Sequence, residues 1–198
     1  MMTVRQIEKR WDARQYQRLL DELVAARPEA VAMTRLDGGV AVAAAALAVV
    51  RLSELNQSAA PISSQHLRTI LAAQEADGGW GEPLLSAMCL RALLLDAGAG
   101  AAVDAAIAYF ANLQQSDGAW PRIPIRRMPA DAFVTAFILF HLADHAQFRD
   151  AVNIPAAMAW MTRQEPQFDD DTRHLWLHAR LRARLSTRPA GVCAASIC

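Results

Sequence analysis

At 198 residues the chain has the length of one domain and enough material for a sizeable core. Basic and acidic residues balance at 20 each, so no global field draws it to nucleic acid or anionic lipid. With 54% apolar residues, alanine-rich stretches and no alternating Val/Ile/aromatic runs, the composition predicts an all-α protein.

Eight helices are expected in chain order. A polar amphipathic helix covers about 4–26 and stops at Arg27-Pro28. A second, very apolar one runs over 40–55. The third starts near Ser63 or Ser64, where a hydroxyl cap is available, and ends at Asp77-Gly78-Gly79. Pro83 opens the fourth, which continues to Asp96. The fifth spans about 101–115 and ends at Asp117-Gly118. A loop at 120–129 follows, holding three prolines and three arginines. The sixth covers 130–145 and the seventh 154–163, with Pro155 early. Asp169, Asp170 and Asp171 offer a cap and dipole-favourable charge to the eighth, which extends to about 185. Residues 189–198 read as a disordered tail. The remaining 1–188 form a single domain, with an N-terminal helix over 1–30 and repeats over 31–188.

No leader is expected from the polar stretch 3–9, and the longest uncharged run, 38–50, is short of the ~20 residues that span a bilayer. Cys89, Cys193 and Cys198 make no disulfide framework, which fits a reducing cytoplasm.

Two segments share one pattern: residues 74–80 (Q-E-A-D-G-G-W) and 114–120 (Q-Q-S-D-G-A-W), their aspartates 40 residues apart. A fixed period of that size signals stacked supersecondary units. A weaker copy keeps Asp37 and Gly38, and a fourth keeps Gln164, with Gln167 and Phe168 where Asp and Gly would stand. Helices two, four and six are apolar nearly all round, and such helices must be buried all round. Their alternation with more polar helices predicts hairpins with one member outside and the other facing a common centre.

The motif Q-x-x-D-G-x-W, closing one helix and followed by an apolar helix opening around Ser or Thr, resembles the repeats of the squalene-cyclase and prenyltransferase superfamily. The residues that carry this are Gln74, Asp77, Gly78, Trp80, Gln114, Asp117, Gly118 and Trp120. The resemblance implies an α/α toroid, here a partial or small barrel of about four hairpins. In the motif itself, glycine suits a left-handed helix end, aspartate a turn cap, glutamine the freed backbone groups, and tryptophan a cover for the joint.

The same resemblance points to chemistry at Phe168-Asp169-Asp170-Asp171-Thr172. Protonation-initiated cyclases of the superfamily carry D-x-D-D-T at an inner-helix start, which would make Asp170 the acid, tuned by Asp169 and Asp171. Such an acid needs apolar surroundings and a neighbouring negative charge. The alternative is an acidic N-cap. Phe133, Phe137, Phe140 and Trp176 would supply aromatic walls for a cation, or else core. Arg122, Arg126 and Arg127, on the proline-stiffened loop, would grip a diphosphate, or else form a solvated basic loop.

His141/His145 and His174/His178 form i, i+4 pairs that are candidate metal ligands, but no metal site is expected. The superfamily's zinc-dependent prenyltransferases use Asp-x-Cys, which the sequence lacks. The expected function is handling of a hydrophobic isoprenoid, by a terpene cyclase or isomerase without cofactor, Mg2+ accompanying any diphosphate substrate. The alternative is a non-catalytic scaffold with a plugged centre, using its rim or the Arg173, Arg180, Arg182 and Arg184 helix. Either a homodimer or a partner domain would then complete the core.

Overall fold

The computed structural model describes residues 35–55, 60–95 and 99–186. The expected first helix and the 189–198 tail lie outside them. The chain divides into two compact units, Met1–Ala41 and Val42–Cys198. Of the first, residues 35–41 are described, and they are helical.

The described residues hold helices and no strand: α1 (Arg35–Glu54), α2 (Ala60–Ala72), α3 (Pro83–Leu93), α4 (Gly100–Leu113), α5 (Ala132–Leu142), α6 (Ala146–Ala151), α7 (Ile154–Gln164) and α8 (Asp170–Ser186). A 3-10 turn, Glu165–Gln167, follows α7. One isolated antiparallel bridge, Pro121 with Ala130, closes the loop between α4 and α5.

The helix starts follow from local chemistry. Pro83 sits in the first turn of α3, where its missing N–H costs nothing. The Asp131 carboxylate accepts the Val134 N–H at 3.0 Å to cap α5, and the Asn153 side chain accepts Ala156 N–H at 3.0 Å to cap α7. Asp169 does the same for α8 through Thr172 N–H at 2.8 Å.

Within the second unit, α5 is the hub: α3, α7 and α8 all pack against it, α2 and α4 pack on α3, and α6 packs on α4. Phe137, Ile138, Leu139 and Leu142 of α5 are fully buried, and burying each contributes about 1.5–3 kcal/mol. At the C-terminal ends of α3, α5 and α8 the chains share one corner. There Arg91 pairs with Asp144 at 3.4 Å, and Arg182 donates to the Phe140 carbonyl at 3.0 Å.

Three expectations need correction. Asp37-Gly38-Gly39 lies inside α1, not in a helix-ending turn. That copy has Thr34 and Val40 where the others have Gln and Trp, and those two side chains make the turn elsewhere. The expected 130–145 helix stops at Leu142, and α6 follows after a short turn. Its Phe148 is fully buried, with ring centroids 5.9 Å from Phe110 and 6.3 Å from Trp120, so the chain bends to seat it. The turn after α7 is 3-10, and Phe168 there has φ −71° where the paired motifs place a left-handed glycine.

Candidate functional site

The two Q-x-x-D-G-x-W turns are built alike. Gly78 and Gly118 have φ +89° and +91°, a left-handed conformation that costs glycine nothing. The aspartate side chains accept the next residue but one, Gly79 N–H at 2.8 Å and Ala119 N–H at 3.2 Å. Trp80 and Trp120 each donate their indole N–H ten residues back, to Ile70 at 2.8 Å and Phe110 at 2.9 Å. The backbone N–H of each tryptophan goes forward to a buried hydroxyl in the next helix: Ser86 at 2.9 Å, Thr135 at 3.1 Å.

Each turn is also a seam to the following hairpin. Gln74 donates to its own turn at Gly78 and to the Ala102 carbonyl in α4 at 2.9 Å. Gln114 donates to Gly118 and to Asn153 at the start of α7, and accepts the Asn153 N–H at 2.8 Å. A Cβ on Gly78 would stand 2.2 Å from the Ala105 carbonyl oxygen, and one on Gly118 2.3 Å from the Ala157 nitrogen. Glycine is therefore required twice over, by φ and by the approach of the next helix. Tyr109 of α4 tightens the first seam by donating to the Gly81 carbonyl at 3.2 Å, and burial pushes its phenol up to about 12.

The acidic triplet stands in a different setting from the one its proposed chemistry needs. The Asp170 side chain is 90% exposed and pairs with Arg173 at 3.1 Å. Asp169 is exposed and spends a carboxylate oxygen on the α8 cap, while Asp171 is half-buried. Thr172 is buried, and Arg173 also donates to the Phe168 carbonyl at 3.0 Å. These contacts are those of a charged helix start, favoured by the dipole.

The aromatic stripe packs on itself. Phe133 and Phe137 lie 6.2 Å apart, and Phe137 lies 4.3 Å from the His141 ring. Half-buried Phe140 touches His141 and His178 and carries the Arg182 guanidinium 4.3 Å above its ring. Trp176 is fully buried in α8, its indole N–H without a partner among the described residues and the Arg180 guanidinium 5.6 Å from the ring.

Beside the stripe lies a polar knot. Asp144 sits between Arg91 at 3.4 Å and Arg182 at 3.9 Å, and Arg91 also crowds against His145 Nε2. His145 Nε2 also lies 3.4 Å from the Asp144 carboxylate. Burial holds the pKa of His145 below the ordinary value. His141 is held down to about 3, by burial first and then by Arg182, Arg91 and Arg51. Its Nε2 is buried and has no hydrogen-bond partner among the described residues. His174 and His178 are exposed, and only the Phe140 ring links His178 to His141. Among the described residues no group of three or more His, Cys, Asp or Glu is placed to hold a metal.

Arg122, Arg126 and Arg127 are exposed. Their loop is anchored. Gln115 donates to the Arg126 carbonyl at 2.7 Å and the Met128 carbonyl at 2.5 Å, and Asp131 N–H donates to the Trp120 carbonyl at 3.0 Å. Ile123, Ile125 and Met128 show between the arginines.

The acidic triplet opens α8, the aromatic stripe runs along α5, and the three arginines stand on the loop that precedes α5. The Ser or Thr expected at the opening of the following apolar helix is Ser86 and Thr135, but their role as acceptors of the tryptophan N–H was not foreseen, since they follow their tryptophans by 6 and 15 residues and break the 40-residue period. Sequence reasoning also missed Arg91, whose partner Asp144 is 53 residues away. Among the described residues no helix is long and apolar enough to cross a membrane. No protein-family model, curated protein or solved structure matches the chain.

Proposed function

We propose that the chain is an arc of α/α-toroid hairpins with a filled centre, acting as a non-catalytic protein-interaction module. The observation that carries this reading is the burial of α5 on all sides, from Phe133 to Leu139 and again at His141 and Leu142. The rings that would line an isoprenoid cavity lie against one another, Phe133 on Phe137 and Phe137 on His141, in tilted contacts. The paired Q-x-x-D-G-x-W seams, which resemble those of the squalene-cyclase and prenyltransferase superfamily, support the toroid part.

Protonation of a prenyl chain requires a carboxylic acid shielded from water. Asp170 stands in solvent beside Arg173, which speaks against the cyclase alternative. A surface role is favoured by α8, whose exposed face carries Leu177 and Leu181 one turn apart, 46% and 58% exposed.

The test is native mass spectrometry of the purified protein. The expected spectrum shows polypeptide alone, as monomer or dimer. An isoprenoid retained at one per chain would overturn the reading.

A further inference from the structure

We propose that the α4–α5 loop, residues 121–130, docks an acidic segment of a partner protein in which carboxylates alternate with aliphatic side chains. The proposal deepens the interaction-module reading and rests on it. Three properties of the loop carry it.

The first is charge. Arg51, Arg91, Arg173, Arg180 and Arg182 each pair with an Asp or Glu of the chain, while Arg68, Arg149 and Arg163, scattered over three helices, pair with none among the described residues. Arg122, Arg126 and Arg127 pair with no carboxylate among the described residues, though all three are exposed on one short loop. A guanidinium presents a planar fork that matches a carboxylate through two parallel hydrogen bonds.

The second is preorganisation. Pro121, Pro124 and Pro129 stiffen the loop, and the Pro121–Ala130 bridge closes its base. The Gln115 amide clamps two of its carbonyls, and Met128 N–H turns back to the Ile125 carbonyl at 2.9 Å. A loop already held in one conformation loses little further entropy on binding.

The third is the apolar interleaving. Ile123, Ile125 and Met128 are 36%, 42% and 38% exposed, so each offers a partial face flanked by guanidinium groups. An acidic segment with aliphatic residues between its carboxylates matches both features.

Other anionic surfaces fit less well. Three cations are worth about 1 kcal/mol each at an anionic leaflet, and the loop has no amphipathic helix and no aromatic residue to insert. Single-stranded nucleic acid binds through aromatic stacking platforms, and the loop has none.

The experiment measures fluorescence anisotropy of a short labelled peptide of alternating glutamate and leucine, with its glutamine counterpart as control. The full-length protein is compared with the Arg122→Gln/Arg126→Gln/Arg127→Gln and the Arg122→Lys/Arg126→Lys/Arg127→Lys variants. Both should melt as the parent does, because the three side chains are exposed and pair with no carboxylate among the described residues. The expected result is binding of the acidic peptide alone, weakened about tenfold or more by the glutamine variant and less by the lysine variant. Equal binding by parent and glutamine variant would overturn the loop assignment and leave the interaction reading standing. Tighter binding of phosphatidylserine vesicles, oligothymidylate or inorganic diphosphate than of the peptide would overturn the acidic-segment proposal. A co-purified isoprenoid would overturn the interaction reading itself.

Discussion

Gln114 and Asn153 bond to each other twice across 39 residues of chain: the Gln114 amide accepts the Asn153 N–H at 2.8 Å and donates to its carbonyl at 3.2 Å. One side chain thus pairs with a backbone as a neighbouring strand would. It joins the end of one hairpin to the first residue before α7. Gln74 makes a looser version of the same joint, through the Ala102 carbonyl alone.

Replacing Gln114 should therefore cost more than replacing Gln74. Gln114→Ala removes three hydrogen bonds made by a buried side chain, among them the acceptor of the Asn153 N–H, a loss of about 2–3 kcal/mol. Gln74→Ala, at a half-buried position, is expected to lose about 1–2 kcal/mol. Urea unfolding of the two variants checks the order.

The glycines set the tightest steric limit. Gly118→Ala meets both a left-handed φ and the α7 backbone within van der Waals contact, so a loss of about 3 kcal/mol or more is expected. Soluble yield and melting temperature report it, and a variant as stable as the parent would show that α7 does not lie against this turn.

At the start of α8 the three aspartates should separate by role. Asp169→Ala removes the cap on Thr172 N–H and should cost about 1 kcal/mol. Asp170→Asn changes a side chain that is 90% exposed and should stay within about 0.5 kcal/mol of the parent. Thermal melts distinguish the two.

Acid should destabilise the protein through its buried histidines before carboxylates protonate. His141 is held at about 3, so in the pH range between its unfolded value of about 6.5 and that figure the unfolded chain binds the extra proton. Stability is fully present above about 6.5 and falls with pH below it, by about 2 kcal/mol at pH 5 for His141. His145, also shifted down, adds to the same slope. His141→Leu removes the titrating ring and its buried Nε2, so unfolding free energies at pH 7 and pH 5 should lie closer together than in the parent.

The seams were legible in the sequence because their chemistry is local. Gln, Asp, Gly and Trp of one turn bond largely within ten residues of each other, and the pattern repeats intact at 74–80 and 114–120. Asp37-Gly38 was misleading because an Asp-Gly pair without its glutamine and tryptophan has nothing to hold a turn open, and the alanine-rich run continues as helix. α6 left no trace in the periodicity, since its reason is the seat that Phe110 and Trp120 offer to Phe148. The acidic triplet was visible as a cluster, but whether Asp170 faces a core or water depends on how α8 is rotated on α5, and three adjacent aspartates carry no rotational signal.

The turn between α7 and α8 has the opposite character from the two before it. Gln164 sits at the end of α7 but makes no bridge to a later helix among the described residues, and a proline-containing 3-10 turn replaces the tight glycine bend. The α7–α8 joint therefore rests on the buried Phe168 and the Asp169 cap, and no position in it is held to glycine by its backbone angle.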